Sequence, residues 1–231
     1  MRFDVLTLFP GVFESFLAES LFAKAISKKL VLVNLVNIRD FAPDARKTAD
    51  DRPYGGGPGM VLKPEPIGLA LDSLLEESET KPPVIFLSPS GKTLNQSLAK
   101  SLHENHKRLI LICGRYEGVD QRVLDHYGAL SLSIGDYVLN GGEVPAMVLM
   151  ECVSRFVPGF LGEKESLEDD SFSQGLLECP VFTRPREYKG LGVPETLLSG
   201  NHKEIEKWRR DESLKRTESE RPELLEEKSE S

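Results

Sequence analysis

The stretch Ser133-Ile134-Gly135-Asp136-Tyr137-Val138-Leu139-Asn140-Gly141-Gly142-Glu143 decides how this chain is read. It follows an apolar run at 129–134 and precedes a helical pattern at 143–156, so its glycines stand where a strand ends. Two more glycine-rich segments are placed at strand ends. Cys113-Gly114-Arg115-Tyr116-Glu117-Gly118 follows an apolar strand at 109–113. Pro53-Tyr54-Gly55-Gly56-Gly57-Pro58-Gly59-Met60 lies upstream. In open α/β sheets, ligands bind beyond the carboxyl ends of the strands. Glycines there let backbone N–H and C=O groups approach a ligand without a Cβ in the way. One cluster alone reads equally well as a tight turn. Three at successive strand ends, two of them carrying Arg, Tyr, Asp and Glu, favour a ligand site.

Working outward, strand patterns at 2–8, 30–38, 84–88, 109–113 and 129–134 alternate with helical spacing at 12–27, 64–78, 94–104, 119–126 and 143–156. This implies an α/β domain over residues 1–157, with a mostly parallel sheet covered on both faces. The texture changes at Pro158-Gly159. Residues 162–173 carry Glu163, Glu165, Glu168, Asp169 and Asp170 against one Lys164, so 158–173 reads as a mobile interdomain linker. Residues 174–231 read as a small helical domain, with short helical segments at 172–178, 194–198 and 201–214. In the last, Ile205 and Trp208 form a buried seam. An acidic tail follows from 218, with a frayed end.

The 231 residues are 39% hydrophobic and 29% charged, the composition of an ordinary globular protein. Apolar runs are strand-sized, far short of the roughly 20 residues that span a bilayer, which excludes a membrane protein. Alternation begins directly after Met1, so no signal peptide is expected and the location is cytoplasmic. Cys113, Cys152 and Cys179 have no CxxC spacing and read as reduced thiols. Gly91-Lys92-Thr93 looks like the end of a P-loop, but Phe86 stands where the first glycine is required. Motifs of the forms GxGxxG, HExxH and GxSxG are absent.

The segments Asp50-Asp51-Arg52-Pro53-Tyr54-Gly55-Gly56-Gly57-Pro58-Gly59-Met60, Cys113-Gly114-Arg115-Tyr116-Glu117-Gly118-Val119-Asp120 and Ser133-Ile134-Gly135-Asp136-Tyr137-Val138-Leu139 resemble the bacterial tRNA (guanine-N1)-methyltransferase family, TrmD. So do Gly175-Leu176-Leu177, Tyr188-Lys189-Gly190, and Ser199-Gly200-Asn201-His202 followed by Trp208-Arg209. The match runs in order over nearly the whole chain. The resemblance implies a trefoil-knotted α/β domain of the SPOUT class, a small α-helical C-terminal domain that binds tRNA, and a homodimer. It also implies S-adenosylmethionine-dependent methylation of guanine N1 at tRNA position 37.

Carried over by motif, the cofactor contacts are Leu87, Ser88, Pro89, Gly114, Tyr116 and Glu117. The later loop adds Ser133, Ile134, Gly135, Asp136, Tyr137, Val138 and Leu139, then Gly141, Gly142 and Pro145. Tyr137 is open to a packing role as well. The resemblance makes Asp170, in Asp170-Ser171-Phe172, the general base, and Arg155 the cation beside the guanine O6. Asp169 is an adjacent competitor, and composition alone would make Asp170 one of several solvated linker carboxylates. The residues expected on tRNA are Tyr54, Gly55, Gly56, Gly57, Ser171, His202, Lys203, Lys207, Arg209 and Arg210. Mg²⁺ is a possible further requirement, with Glu117 and Asp170 as its contacts.

This sequence departs from the family at Phe86, often tyrosine, and at Ala45 and Arg46, where relatives carry a basic residue and often histidine. A related enzyme methylating ribose 2′-OH would not need the linker carboxylate in the same way. A non-catalytic RNA-binding module would need neither Asp170 nor Arg155. The net charge of −8 argues against a nucleic-acid partner only as an average. Residues 21–60 hold seven basic against four acidic side chains, and Lys203, Lys207, Arg209 and Arg210 cluster ahead of the acidic tail.

Overall fold

The computed structural model describes residues 1–76, 81–161, 170–173 and 175–226. The chain divides into two compact units, Met1–Gly162 and Glu163–Ser231. In the first, β1 (Arg2–Thr7), β2 (Leu32–Asn37), β5 (Val84–Thr93), β6 (Arg108–Cys113) and β7 (Leu130–Ser133) form a wholly parallel sheet in the order β2-β1-β6-β5-β7. A separate antiparallel pair, β3 (Asp50–Asp51) with β4 (Val61–Leu62), brackets the first glycine-rich segment.

Side chains alternate across a strand, so each near-continuous apolar run serves two cores. Phe3, Val5, Ile85, Leu87, Leu109 and Leu111 face one core. Leu6, Val84, Phe86, Ile110 and Ile112 face the other. The first core is covered by α1 (Glu14–Ala18), α2 (Ser20–Ser27), α4 (Gln96–Asn105) and α6 (Glu143–Ser154), the second by α3 (Pro64–Glu76) and α5 (Gln121–Tyr127). In α6 the buried positions Ala146, Leu149, Met150 and Val153 recur at helical spacing. Asn95 caps α4 by accepting from the Leu98 N–H at 2.8 Å. Asp4 is fully buried at the amino end of the sheet and accepts from Arg2 (2.8 Å), Asn34 (2.8 Å) and Arg108 (2.7 Å).

Three elements differ from expectation. The single helix expected at 12–27 is broken at Glu19, whose backbone is extended, and Ser20 has φ 58°. The break brings the Phe16 and Phe22 rings to 4.5 Å, whereas six residues of straight helix would separate them by about 9 Å along its axis. The expected helix at 172–178 is not formed. Phe172 and Gly175 lie at φ 72° and 70°, and the Phe172 N–H donates to the Leu176 carbonyl at 2.8 Å, making a turn. Strand β5 runs past its expected end to Thr93. It pairs with β7 at Ile85–Leu87, bulges, then pairs again at Lys92 and Thr93.

The second unit contains the antiparallel pair β8 (Glu187–Tyr188) and β9 (Leu191–Gly192), followed by α7 (Glu195–Leu198), α8 (His202–Glu220) and α9 (Glu223–Glu226). Helix α8 extends six residues beyond its expected end at 214. Thr217 is fully buried, accepting from the Leu177 N–H at 2.9 Å and donating to the Ser213 carbonyl at 2.7 Å. Most of the expected linker, 162–169, and the expected frayed end, 227–231, lie outside the described residues.

Gly91, which looked in sequence like part of a phosphate loop, lies in β5 against β7. A Cβ there would collide with the backbone of Ser131 and Leu132. Backbone cannot yield as a flexible side chain can. Gly91→Ala is expected to lower stability by roughly 1–3 kcal/mol, as overpacking does, read as a shift of the denaturant midpoint.

Candidate active site

At the bulge of β5 and the carboxyl ends of β6 and β7 the chain lines a cavity of about 540 Å³. That volume falls within the range of about 300–1,000 Å³ typical of small-molecule sites. Its wall includes every expected cofactor residue except Asp136, which is exposed on the same loop. It also includes Phe86, whose ring was expected to pack on the cofactor, and Ser90, Arg115, Gln121, Asp125 and Asn140, which the sequence reading did not assign to the cofactor. Gln121 and Asp125 are four apart on α5 and joined at 2.8 Å. That helical spacing was the signal available for them.

Each loop is shaped by its own residues. After β6, Tyr116 (φ 59°) and Gly118 (φ 117°) turn the chain, and the Gly118 N–H donates to the Arg115 carbonyl at 3.0 Å. The Glu117 N–H donates to the Met60 carbonyl at 3.0 Å, and a Cβ on Gly59 would stand 2.5 Å from Glu117 Oε1. The first glycine-rich segment thus ends against the second. After β7, the Ser133 hydroxyl donates to the Gly135 carbonyl at 3.0 Å and accepts from the Gly135 N–H at 3.1 Å. Tyr137 folds back over Gly135, its hydroxyl donating to the Ile134 carbonyl at 3.2 Å while its side chain remains half exposed.

The two later loops are tied together. The Gly142 N–H donates to the Gly114 carbonyl at 2.9 Å, and Arg115 forms a bridge to Gly141. Arg115 Nη1 donates to the Asn140 carbonyl at 3.3 Å, and its guanidinium lies 4.6 Å from the centre of the Phe9 ring. Arg115 Nε stands 2.9 Å from Glu143 Oε2, and the Thr7 hydroxyl donates to Glu143 Oε1 at 2.8 Å. Below them the Cys113 thiol is pushed well up by burial, reinforced by the Glu143 charge and opposed by Arg115.

The profile of the family described as tRNA (Guanine-1)-methyltransferase TrmD matches residues 1–227. The chain belongs to the TrmD family. Among curated relatives, the tRNA (guanine-N(1)-)-methyltransferase of Dehalococcoides mccartyi (strain ATCC BAA-2266 / KCTC 15142 / 195) is 54% identical over 98% of this chain and 91% of its own length. Those of Ruminiclostridium cellulolyticum and Nostoc sp. PCC 7120 are 51% and 50% identical. They cover 97% and 98% of this chain, and 96% and 88% of their own lengths.

Membership in the TrmD family makes this chain an enzyme, and the other residues singled out for it have definite positions. Arg155 is the C-cap of α6 and half-buried. Asp170 and Ser171 belong to the second unit, where Ser171 Oγ accepts from the Glu178 N–H at 3.0 Å. Asp169 lies outside the described residues. Tyr54 is 99% exposed, and Gly55, Gly56 and Gly57, all at positive φ, would meet nothing within 4 Å on gaining a Cβ. His202 opens α8, with Lys203, Lys207, Arg209 and Arg210 exposed along it. The sequence reading missed the β8–β9 pair as a surface. Tyr188 and Leu191 are exposed there beside Arg186 and Lys189, with the Lys189 ammonium 5.3 Å from the Tyr188 ring centre. Among the described residues, no three His, Cys, Asp or Glu side chains gather as a metal site, and no helix is long and apolar enough to cross a membrane.

Because thiolate is the reactive form of cysteine, Cys113 should resist iodoacetamide in the folded protein at pH 8 and react on unfolding. Peptide mapping of the alkylated protein checks this.

Proposed function

We propose that this chain methylates N1 of guanine 37 in tRNA, next to the anticodon, with S-adenosylmethionine as donor. The observation that carries the proposal is the cavity at the carboxyl ends of the parallel strands, walled by glycine loops, in a chain of the TrmD family. Its lining suits such a cofactor. Glycines 114, 135, 141 and 142 expose main chain that can read an adenine edge, and the Glu117 and Asp125 carboxylates are compatible with a cationic ligand. A sulfonium donor supplies an electrophilic methyl group on a good leaving group.

Guanine N1 carries a proton and is a poor nucleophile until that proton leaves. Its departure places negative charge on O6. The reaction therefore needs a base at N1 and a cation or donor at O6, and Asp170 and Arg155 are the residues proposed for these roles. Asp170 takes the N1 proton, the N1–methyl bond forms, and the sulfur–methyl bond breaks with its electron pair returning to sulfur. Any Mg²⁺ would use Glu117 or Asp170 as one or two carboxylate ligands and keep several waters.

The remaining assignments belong to the same proposal. The knotted SPOUT topology is proposed from the family alone, whose profile matches residues 1–227. Val144 and Val148 are exposed on α6, and Phe16, Met147 and Cys152 line an apolar groove there with Val148, which supports pairing with a second copy of this chain in a homodimer. The helical C-terminal domain is proposed to hold tRNA. Lys203, Lys207 and Arg210 recur at i, i+4 and i+7 on one face of α8, with Arg209 turned to the side.

The test is incubation with labelled S-adenosylmethionine and tRNA transcripts carrying or lacking guanine at position 37. Labelled 1-methylguanosine in the former alone is expected, whereas label on ribose, or none, overturns the proposal. Asp170→Ala should slow single-turnover methylation by about 10²–10⁴-fold while leaving cofactor affinity unchanged. Loss of turnover in Asp169→Ala instead would move the base by one residue. Neutralising Lys203, Lys207, Arg209 and Arg210 together should weaken tRNA binding and flatten its log–log salt dependence by roughly 3, the effect of about four lost phosphate contacts.

A further inference from the structure

We propose that Glu143 is a positioning residue that cancels the charge of Arg115 at the cavity wall, so that the cavity admits a sulfonium cation without electrostatic penalty. This rests on the reading that the cavity holds S-adenosylmethionine. Neither residue is among the cofactor contacts implied by the family resemblance.

Among the described residues, Arg115 is the one cationic side chain lining the cavity. Its place there has a mechanical reason. It spans from the 114–118 loop to the Asn140 carbonyl and packs over Phe9, holding two walls of the cavity together. That tie puts a positive charge beside a site meant for a positively charged ligand. Glu143 answers it from behind. Its side chain is 2% exposed and lies outside the cavity lining, with one carboxylate oxygen 2.9 Å from Arg115 Nε and the other accepting from Thr7 at 2.8 Å.

The Arg115–Glu143 contact is coulombic rather than directional, since neither Nε nor Oε2 has an aligned hydrogen bond. Glu143 also begins α6, where the free N–H groups of the first turn favour negative charge. The fit is tight around the pair. A Cβ on Gly141 would collide with the Arg115 side chain and stand 2.6 Å from Glu143 Oε2. Buried ion pairs contribute little net stability, so stability alone is a weak reason for this one. Neutralising a fixed charge next to a cation-binding cavity is a sufficient reason.

The prediction concerns a ratio. S-adenosylmethionine and S-adenosylhomocysteine differ in the methyl group and the sulfonium charge, so a general loosening of the cavity weakens both alike. Unpairing Arg115 weakens chiefly the cation. Isothermal calorimetry on the full chain, with folding checked by thermal melting, should show Glu143→Gln losing roughly tenfold more affinity for the sulfonium than for the thioether. That is the effect of one unit charge at about 10 Å in an effective dielectric of about 20. Arg115→Met leaves Glu143 unpaired and should move the ratio the opposite way. The double variant should return it to the wild-type value, and should Glu143→Gln fail to fold, these two variants still decide. Equal weakening of both ligands, or shifts of the same sign in the two single variants, overturns the inference alone. Failure of the wild-type protein to bind either ligand overturns the cofactor reading with it.

Discussion

The hydrogen bond from the Gly142 N–H to the Gly114 carbonyl joins two loops that belong to different strands, and the cavity depends on that contact. A side chain at 142 would press on the backbone of Cys113 and Gly114, so the approach requires glycine. Once the loops are joined, Arg115 reaches Asn140 and Glu143, and α6 starts directly behind the cavity. The two cores, one on each face of the sheet, make the β5 bulge and the carboxyl ends of β6 and β7 a firm rim. Loop conformations as unusual as those at Tyr116 and Gly135 are thereby held on firm supports.

Much of this was legible in the sequence for a physical reason. Parallel strands buried on both faces must be apolar at nearly every position, and their ends must be marked where the chain turns. The runs at 84–88, 109–113 and 129–134 met both conditions, and glycine-rich loops followed the last two. Local spacing could not report contacts between distant residues. The break at Glu19 serves a ring pair made across it, Phe16 with Phe22. The continuation of β5 to Thr93 is dictated by β7, forty residues further on, and the close approach that requires Gly91 lies across that same pairing. Asp170 and Arg155 were singled out only through family resemblance, since a carboxylate in an acidic stretch and an arginine at a helix end carry no signal of their own.

Charge was the least informative quantity when summed over the chain. The −8 total averages a basic stretch at 21–60, an acidic stretch at 161–180 and a basic cluster on α8. What a ligand meets is local. At the cavity wall the balance turns on single side chains, and there a buried carboxylate outside the lining can matter as much as a residue that touches the ligand.

The exposed Tyr54-Gly55-Gly56-Gly57 turn has a kinetic side. Gly55, Gly56 and Gly57 all hold positive φ, with nothing within 4 Å of a Cβ built there, and glycine gives up more backbone freedom on ordering than any other residue. Any RNA that immobilises them must give back part of its contact energy as lost entropy, which keeps the complex from becoming too tight. A contact made through such a turn is weighted toward release rather than long residence.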